Sequence, residues 1–382
     1  METRHRVEFG SAGEMSFVDD AVVDLVVTSP PYPMIEMWDA VFSAQDPAVD
    51  EKLAAADGAG AFEAMHRVLD RVWKQCARVV RPGGFLCINI GDATRKLGDG
   101  FRLYTNHSRI TSKCEALGFE SLPAVVWRKQ TNAPNKFMGS GMFPSGAYVT
   151  LEHEYILILR KGGKRVFTAT EKDRRHRSAF FWEERNSWFS DIWDFKGTRQ
   201  KLGLSDARAR SGAFPFELAF RLINMYSMQE DTVLDPFLGT GTTTIAAIAA
   251  DRNSIGVEID ATLQPVIRDA VLDAAGTIND RQLERIARHR EFVEQSRSTN
   301  RALGHQNAPH GFPVVTRQER DLTIPVVTEI TALEPFGFRA SHEPYDGQTI
   351  TPALDGIDAE VTDGDGTDAA DEVDQLGLPF AE

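Results

Sequence analysis

Apolar residues in this chain fall into short runs that alternate with a longer segment of helical spacing. The runs at residues 6–10, 22–27 and 85–90 have the length and composition of strands. Between the last two, residues 61–80 carry apolar side chains at the spacing of one helix face. The strand, helix, strand succession predicts an α/β fold with a doubly wound, mostly parallel sheet.

The same alternation continues through the rest of the chain. A helix is predicted near residues 105–117, and strands near 122–128 and 153–160 are predicted to form an antiparallel edge of the sheet. Residues 231–244 predict a strand, a glycine-rich turn and the start of a helix, and residues 254–260 a second strand that ends in acids. Helices are expected from there to about residue 303.

The sequence TSPPY directly follows the strand predicted at residues 22–27. Pro30 and Pro31 fix φ and remove two backbone donors, so carbonyl oxygens remain as rigid acceptors. This turn suits a flat heterocycle with an exocyclic amine: the ring stacks on Tyr32, and Ser29 Oγ and the Pro30 carbonyl accept the amine hydrogens. An ordinary proline-rich turn is the alternative interpretation.

A second turn, in the sequence DPFLGTGTTT, joins a strand to a helix. Gly239 and Gly241 allow close backbone approach, and Thr242 begins the helix. Asp235 would repel a phosphate but attract an ammonium group, and Glu258, at the end of the next strand, can bind two ribose hydroxyls. Because the turn lacks both GxGxxG and GK[ST], neither a dinucleotide nor a nucleoside triphosphate is favoured.

With these two motifs, the chain resembles the S-adenosylmethionine-dependent amino-methyltransferases of DNA. TSPPY is similar to their catalytic motif in its cytosine-N4 form, since the adenine-N6 form more often begins with Asp. DPFLGTGTT, with Pro236 and Phe237, is similar to their cofactor loop, and Phe214 and Pro215 resemble the start of the helix that precedes it. The catalytic motif comes first, which resembles the circularly permuted β subgroup over roughly residues 5–275.

The resemblance implies a Rossmann-like class I methyltransferase fold with an inserted target-recognition region. It implies S-adenosylmethionine as cofactor, double-stranded DNA as partner, and a target cytosine that is flipped out of the helix for N4 methylation. The stretch TSPPYPMIEMWD is further similar to archaeal members that modify CTAG sites. The resemblance also implies a restriction-modification system. A cognate restriction endonuclease and a second copy of this chain, in a homodimer, are the further partners that it leaves open.

Three alternatives remain open at this point. The same pocket chemistry serves adenine-N6 transfer, and methylation of structured RNA is a weaker possibility. A DNA-binding regulator that has lost catalysis belongs to another class, but intact TSPPY and DPFLGTGT motifs argue against it because binding alone needs neither.

Composition favours a cytoplasmic enzyme. The chain has no apolar segment long enough to cross a membrane, and its N-terminal residues lack the apolar run of a signal peptide. Cys76, Cys87 and Cys114 form no CxxC pair, so we expect neither a disulfide framework nor a metal site. We predict that all three cysteines fill the core or lie on a helix face.

Charge is unevenly distributed along the chain. The net charge is −14, and residues 341–382 hold twelve acids and no Lys or Arg, which leaves −2 for the remainder. Between residues 128 and 201 there are fifteen bases and eight acids, as a surface that contacts phosphate requires. The predicted DNA-binding residues are Arg128, Lys129, Lys164, Arg165, Arg174, Arg175 and Arg177. Trp188 and Trp193, in the same stretch, are predicted to pack in a core.

These observations divide the chain into five segments. Residues 1–128 are predicted to form the catalytic half, and residues 129–210 the target-recognition region, which includes one core strand. Residues 211–303 are predicted to form the cofactor-binding half. Residues 304–340 have no assigned structure, and residues 341–382 are predicted to be an acidic, disordered tail.

Overall fold

The computed structural model describes residues 1–98, 100–129, 138–139, 142–197, 214–299 and 303–347. The strands are β1 (Glu2–Phe9), β2 (Val23–Thr28), β3 (Val80–Ile90), β4 (Ala93–Leu97), β5 (Gly100–Tyr104), β6 (Phe119–Arg128), β7 (Met138–Gly139), β8 (Ala147–Tyr148), β9 (His153–Lys161), β10 (Ile192–Asp194), β11 (Thr232–Asp235), β12 (Asn253–Glu258), β13 (His305–Gln306), β14 (Pro313–Val314), β15 (Pro325–Leu333) and β16 (Gly337–Pro344). The helices are α1 (Asp39–Ser43), α2 (Ala48–Ala54), α3 (Gly58–Val79), α4 (Asn106–Ala116), α5 (Ala169–Arg177), α6 (Trp182–Trp188), α7 (Phe216–Tyr226), α8 (Thr242–Ala249), α9 (Gln264–Leu272) and α10 (Ala274–Ser298).

Ten of the described strands form one sheet in the order β10-β6-β9-β3-β2-β11-β12-β1-β16-β15. The central strands, from β3 to β1, are parallel to one another. β9 is antiparallel to both of its neighbours, and β10 is parallel to β6. At the other edge, β16 and β15 are antiparallel. The predicted mostly parallel α/β sheet with an antiparallel region at its edge is confirmed.

The two motif-bearing strands, β2 and β11, are neighbours in this sheet. Leu25 pairs with Val233, and Val26 pairs with Leu234. We call the side on which the central strands end the carboxyl side, and the opposite side the amino side. TSPPY and the glycine-rich turn therefore leave adjacent strands on the carboxyl side, where open α/β sheets bind their ligands.

Helices cover both faces of the sheet. On one face, α3 and α4 contribute Leu69, Trp73 and Ile110 to a buried core. On the other, α7 and α8 contribute Leu218 and Ile248 to a second core. The apolar spacing that predicted the helix corresponds to α3, whose N-terminal Asp57 accepts a hydrogen bond from the Gly60 amide. Helix packing on both faces explains why the central strands are apolar on both sides.

The three cysteines are buried as free thiols. Burial raises the pKa of Cys76, Cys87 and Cys114, so each stays a neutral, unreactive thiol at physiological pH. The prediction that they fill the core is confirmed.

The C-terminal hairpin β15–β16 extends the sheet beyond β1. Phe338, Ala340 and His342 alternate inward along β16 and are buried. β16 reaches Pro344, so the tail boundary predicted at residue 341 is wrong: pairing with β1 supplies backbone hydrogen bonds that composition does not reveal. The remainder of the predicted tail, residues 348–382, lies outside the described residues.

The described part of the region predicted for target recognition is joined to the core. β10 pairs with β6, and Trp188 and Trp193 are buried there. Trp193 Nε1 donates a 3.0 Å hydrogen bond to the Trp188 carbonyl, and Trp127 Nε1 donates one of 3.0 Å to the Phe195 carbonyl. The prediction that these tryptophans pack in a core is confirmed. Residues 198–210 lie outside the described residues.

Across the described part of the chain, the helices are either too short or too polar to span a bilayer.

Candidate active site

The TSPPY turn stands at the carboxyl end of β2. Pro30 is buried, whereas Ser29, Pro31 and Tyr32 are partly exposed. A buried parallel strand thus carries the turn to the side of the sheet on which a ligand can reach it. The structure brings these four predicted site residues together as one partly open surface.

The Tyr32 hydroxyl is the centre of a polar network. It accepts a 3.2 Å hydrogen bond from Ser29 Oγ and one of 2.9 Å from Asn89 Nδ2, and donates one of 2.9 Å to Glu154 Oε2. Asn89 Nδ2 also lies 2.7 Å from Glu154 Oε2, and Lys129 Nζ binds Glu154 Oε1. Burial, followed by the charge of Glu154, raises the pKa of Tyr32 well above its ordinary value.

The backbone of Gly91 packs closely against the Tyr32 ring. A Cβ on Gly91 would stand 2.9 Å from Tyr32 Cε2, closer than real Cβ contacts allow. Asn106 Nδ2 donates to the Pro33 carbonyl at 3.1 Å and to the Gly91 carbonyl at 2.9 Å. The glycine and this clamp fix the aromatic ring beside the turn.

Sequence reasoning missed Asn89 and Glu154. Both lie in strands that were assigned only a structural role, Asn89 near the end of β3 and Glu154 near the start of β9. The antiparallel direction of β9 brings its first residues to the carboxyl side. A buried polar residue in an otherwise apolar run is the signal that could have identified them.

Asp235, at the end of β11, connects the two motifs. Its Oδ1 accepts hydrogen bonds from Thr28 Oγ1 at 2.6 Å and from the Phe237 amide at 3.0 Å, and its Oδ2 accepts one from Thr243 Oγ1 at 2.5 Å. Burial raises the pKa of Asp235 to about 6. The carboxylate therefore links β2, the glycine-rich turn and α8, and a direct bond to a cofactor ammonium stays a prediction.

Glu258 lies beside the glycine-rich turn, at the end of β12. Its Oε2 accepts a 2.7 Å hydrogen bond from the Gly239 amide, and its Oε1 accepts one of 2.8 Å from the Asp260 amide. Burial raises the pKa of Glu258. Since each carboxylate oxygen can accept two hydrogen bonds, both retain capacity for ligand hydroxyls.

The turn itself has the shape that a ligand cradle needs. Gly239 and Gly241 have φ of 58° and 91°, a left-handed conformation that favours glycine. No atom lies within 4 Å of a Cβ built on Gly239, so the space above the backbone is open. α8 begins at Thr242, and the preceding Pro236 is buried. The accessible backbone of this turn, beside the Glu258 carboxylate, can accommodate a cofactor that carries a ribose.

Phe214 and Pro215 precede α7 and are buried. Since α7 leads through a short connection to the start of β11, its own N-terminus faces the carboxyl side. The structure therefore gathers the predicted cofactor residues on the same side of the sheet as TSPPY.

Most of the predicted DNA-binding residues lie on the amino side instead. Arg165 binds Asp231 at 2.7 Å and Asp24 at 3.2 Å, next to the starts of β11 and β2. Arg174 and Arg177 pair with Glu230 at 3.3 and 3.1 Å. These three arginines neutralise carboxylates on the side of the sheet opposite TSPPY, and their contact with DNA stays a prediction.

Lys164 and Arg175 share this location. Both are exposed and follow the end of β9, which is antiparallel and so ends on the amino side. The Arg175 guanidinium lies 4.7 Å from the ring centre of Phe167. The structure thus places both residues on the side of the sheet opposite TSPPY, and their contact with DNA also stays a prediction.

Arg128 and Lys129 do lie on the carboxyl side. Arg128 is exposed, and the ion pairs it makes within the described residues are long, 3.8 Å with Glu152 and 3.9 Å with Asp194. Lys129 is committed to Glu154, and its ammonium lies 4.9 Å from the ring centre of Trp127. Of the seven residues predicted to bind DNA, Arg128 is thus the exposed cation that lies on the same side of the sheet as TSPPY.

A basic and apolar hairpin, β4–β5, also projects from this side. It follows β3 directly and ends at Tyr104, two residues before Asn106, which begins α4 and binds the Pro33 carbonyl. Its exposed side chains include Lys96, Phe101, Arg102 and Leu103. Sequence reasoning gave this hairpin no role. Strand pairing between Lys96 and Phe101 places a cation beside an exposed aromatic ring.

Comparison with known proteins gives a consistent result. Residues 23–269 match the sequence profile of the family described as DNA methylase. The type II methyltransferase M.MthZI of Methanothermobacter thermautotrophicus is 48% identical over 327 residues, which cover 85% of this chain and 91% of that protein. The type II methyltransferase M.MjaI of Methanocaldococcus jannaschii is 48% identical over 284 residues, which cover 70% and 91% of the two chains.

A solved structure is also similar. The DNA modification methylase TTHA0409 of Thermus thermophilus, crystallised with S-adenosyl-L-methionine, is 33% identical and superposes with a TM-score of 0.54. The match covers 71% of this chain and 95% of that one.

Proposed function

Because the chain belongs to the DNA methylase family and uses S-adenosylmethionine, we propose that it methylates the N4 amine of cytosine in a short duplex site. CTAG is the site we propose, from the similarity of TSPPYPMIEMWD to archaeal CTAG-modifying enzymes. In a restriction-modification system, this methylation would protect the site from cleavage by the restriction endonuclease.

One observation carries the proposal most directly. Ser29, at the position where adenine-specific motifs more often have Asp, donates to the Tyr32 hydroxyl at 3.2 Å and so keeps its lone pairs available. A serine oxygen can accept a hydrogen bond from an exocyclic amine without adding charge to the pocket.

The cofactor would bind over the glycine-rich turn. Glu258 would accept hydrogen bonds from the ribose hydroxyls, Phe237 would line the adjoining surface, and Gly239 and Gly241 would allow close approach. When bound, the cofactor supplies a methyl group that its sulfonium sulfur has already activated. No metal or covalent intermediate is then required of the protein.

The residues of TSPPY would act on the flipped base. Its ring would stack on Tyr32, a contact worth about 1–3 kcal/mol. Ser29 Oγ and the Pro30 carbonyl would accept the two amine hydrogens and favour a pyramidal nitrogen with a directed lone pair. Flipping costs a few kcal/mol, which contacts between the enzyme and the DNA must offset.

Duplex DNA would lie across the carboxyl side. Arg128 and the β4–β5 hairpin, with Lys96 and Arg102, supply positive charge around the turn. The exposed Phe101 and Leu103 would contact bases or sugars next to the opened site. We therefore assign DNA binding to this carboxyl-side surface and not to the arginines on the amino side.

The test uses methyl-labelled S-adenosylmethionine and two duplexes, one with CTAG and one with the same bases in scrambled order. Nucleoside mass spectrometry should detect N4-methylcytosine in the CTAG duplex alone. Ser29→Ala and Tyr32→Ala should lose turnover while binding the cofactor normally. N6-methyladenine as the product would replace the N4 proposal with adenine methylation, and label in both duplexes would remove the CTAG assignment.

A further inference from the structure

A directed chain of hydrogen bonds leads away from the amine site. Ser29 Oγ donates to Tyr32 Oη at 3.2 Å, and Tyr32 Oη donates to Glu154 Oε2 at 2.9 Å. The chain begins at the oxygen proposed to accept an amine hydrogen and ends at a carboxylate. Hydroxyl groups in such a row can each accept one proton while releasing another.

The carboxylate at the end of the chain is held in place from two sides. Asn89 Nδ2 donates to Glu154 Oε2 at 2.7 Å, and Lys129 Nζ binds the other oxygen, Oε1. The Glu154 side chain is 10% exposed. Most of it is therefore held by its neighbours, and a small part remains accessible to solvent. Within the part of the chain that the structure describes, the titratable groups that face it are Tyr32 and Lys129, and its neighbours on β9 are His153 and Tyr155.

Two other carboxylates near the turn already have partners. Both oxygens of Asp92 lie 2.8 Å from Nδ1 of His107. Asp235 accepts three hydrogen bonds from Thr28, Thr243 and the Phe237 amide. Glu154 is the carboxylate that the structure connects to Ser29 through Tyr32.

We propose that Glu154 is the terminal acceptor of the proton that the target amine releases, and that Tyr32 and Ser29 relay it. This proposal rests on the function proposed above and deepens it. The nitrogen gains a bond to the methyl carbon as the bond from that carbon to sulfur breaks. One N–H bond breaks and its proton binds Ser29 Oγ; the serine proton passes to Tyr32 Oη, and the tyrosine proton to Glu154 Oε2. The carboxyl group later returns the proton to solvent.

The surroundings of Tyr32 are consistent with a relay through neutral hydroxyls. Burial and the charge of Glu154 raise the pKa of Tyr32, so the phenol holds its proton until another arrives. Lys129 Nζ binds Glu154 Oε1, so the oxygen that faces Tyr32, Oε2, is not the one that the ammonium holds. A newly methylated amine that still carries both hydrogens is a strong acid, so transfer to a carboxylate is downhill.

The test compares Glu154→Gln with Glu152→Gln in single-turnover methyl transfer. Gln keeps the size of the side chain and an oxygen for Tyr32 but cannot take a proton at neutral pH. We expect Glu154→Gln to slow transfer about 100-fold or more, in the range of general-base effects. Glu152, partly exposed and 3.8 Å from Arg128, is the matched control and should retain the wild-type rate.

The pH profile separates a proton acceptor from a structural residue. In the wild type, the transfer rate should fall at acidic pH, because a relay that ends at a carboxylate needs that group unprotonated. Glu154→Gln should lose this fall. A rate that still falls at acidic pH in Glu154→Gln, or a full rate for that variant, would overturn the proposal.

A further measurement needs no turnover. Ultraviolet titration of the cofactor-free protein, with Tyr32→Phe as the reference, should show a lower Tyr32 pKa in Glu154→Gln than in the wild type. An unchanged Tyr32 pKa would contradict the proposed relay even if the protein methylates DNA. If the lower pKa is found but no nucleic acid is methylated, the relay geometry stands and the proposed function fails; adenine as the target would leave the relay intact.

Discussion

Thr28 Oγ1 donates a 2.6 Å hydrogen bond to Asp235 Oδ1, across 207 positions of the sequence. Thr28 directly precedes the TSPPY serine, and Asp235 opens the glycine-rich turn. The bond thus couples the proposed amine site to the proposed cofactor site through neighbouring strands. Since Asp235 is buried, a lost donor cannot be replaced easily by water.

Thr28→Val should therefore destabilise the protein and slow turnover. A hydrogen bond to a charged group contributes about 1.5–3 kcal/mol to the free energy of unfolding. Urea unfolding and single-turnover rates measure the two effects. Thr243→Val, which removes the donor to Asp235 Oδ2, is the control: it should lose similar stability but affect the rate less. Equal rate losses would mean that the coupling does not act through β2.

Glu258→Ala should weaken binding of S-adenosylmethionine. The variant loses the proposed bonds to ribose hydroxyls and also the bonds that hold the Gly239 and Asp260 amides. A loss of at least ~1.5 kcal/mol, or about tenfold in Kd, is expected by calorimetry. Glu294→Ala, at an exposed position on α10, should bind normally. Wild-type affinity in Glu258→Ala would show that the ribose lies elsewhere.

Lys96→Ala with Arg102→Ala should weaken DNA binding and reduce its dependence on salt. Each lost phosphate contact lowers the slope of log affinity against log salt by about 0.9. The control pair is Arg175→Ala with Arg177→Ala, which removes equal charge from the amino side. Titrations of a labelled duplex at several salt concentrations give both slopes. A larger effect from the control pair would return the DNA to the amino side.

Asp251→Asn should stabilise the protein, but only above acidic pH. Asp251 is buried, its carboxylate has no hydrogen-bond partner among the described residues, and its Oδ1 lies 3.5 Å from His342 Nδ1. His342 Nε2 is 2.8 Å from the Ile248 carbonyl, so it is the donor and Nδ1 is left as an acceptor. An Asn amide could donate to that Nδ1, and Asn tolerates the left-handed φ of 59°.

The sign of this pH dependence follows from the pKa of Asp251, which burial raises from 3.8 to about 6 against the opposing charge of Arg252. The folded state binds the proton more tightly, so stability is lost as pH rises from about 4 to 6. The Asn variant avoids that loss, worth about 3 kcal/mol at pH 8 and little at pH 4. Urea unfolding at both pH values, with Asp269→Asn as an exposed control, measures it. A gain of the same size at pH 4 would contradict this explanation.

The sequence by itself determined the elements and the two motifs. Local spacing of residues is enough to identify three features: the apolar run at residues 22–27, the apolar face of α3 and the glycine-rich turn. Strands and helices have fixed side-chain periods, so their patterns can be recognised in the sequence. Position after a buried strand was enough to predict that Ser29 and Tyr32 stand at a ligand-binding side. Gly239 and Gly241 take the left-handed φ that such a turn requires.

Only the tertiary structure decided which distant side chains meet. Glu154 reaches Tyr32 because β9 runs antiparallel beside β3, and strand direction is set by sheet pairing that local spacing does not contain. The positive charge of Arg165 was visible, but its partner Asp231 lies 66 positions away on the amino side. Charge in a sequence has no direction in space, so the sheet decided which cations lie on the same side as TSPPY and which neutralise buried acids on the other side.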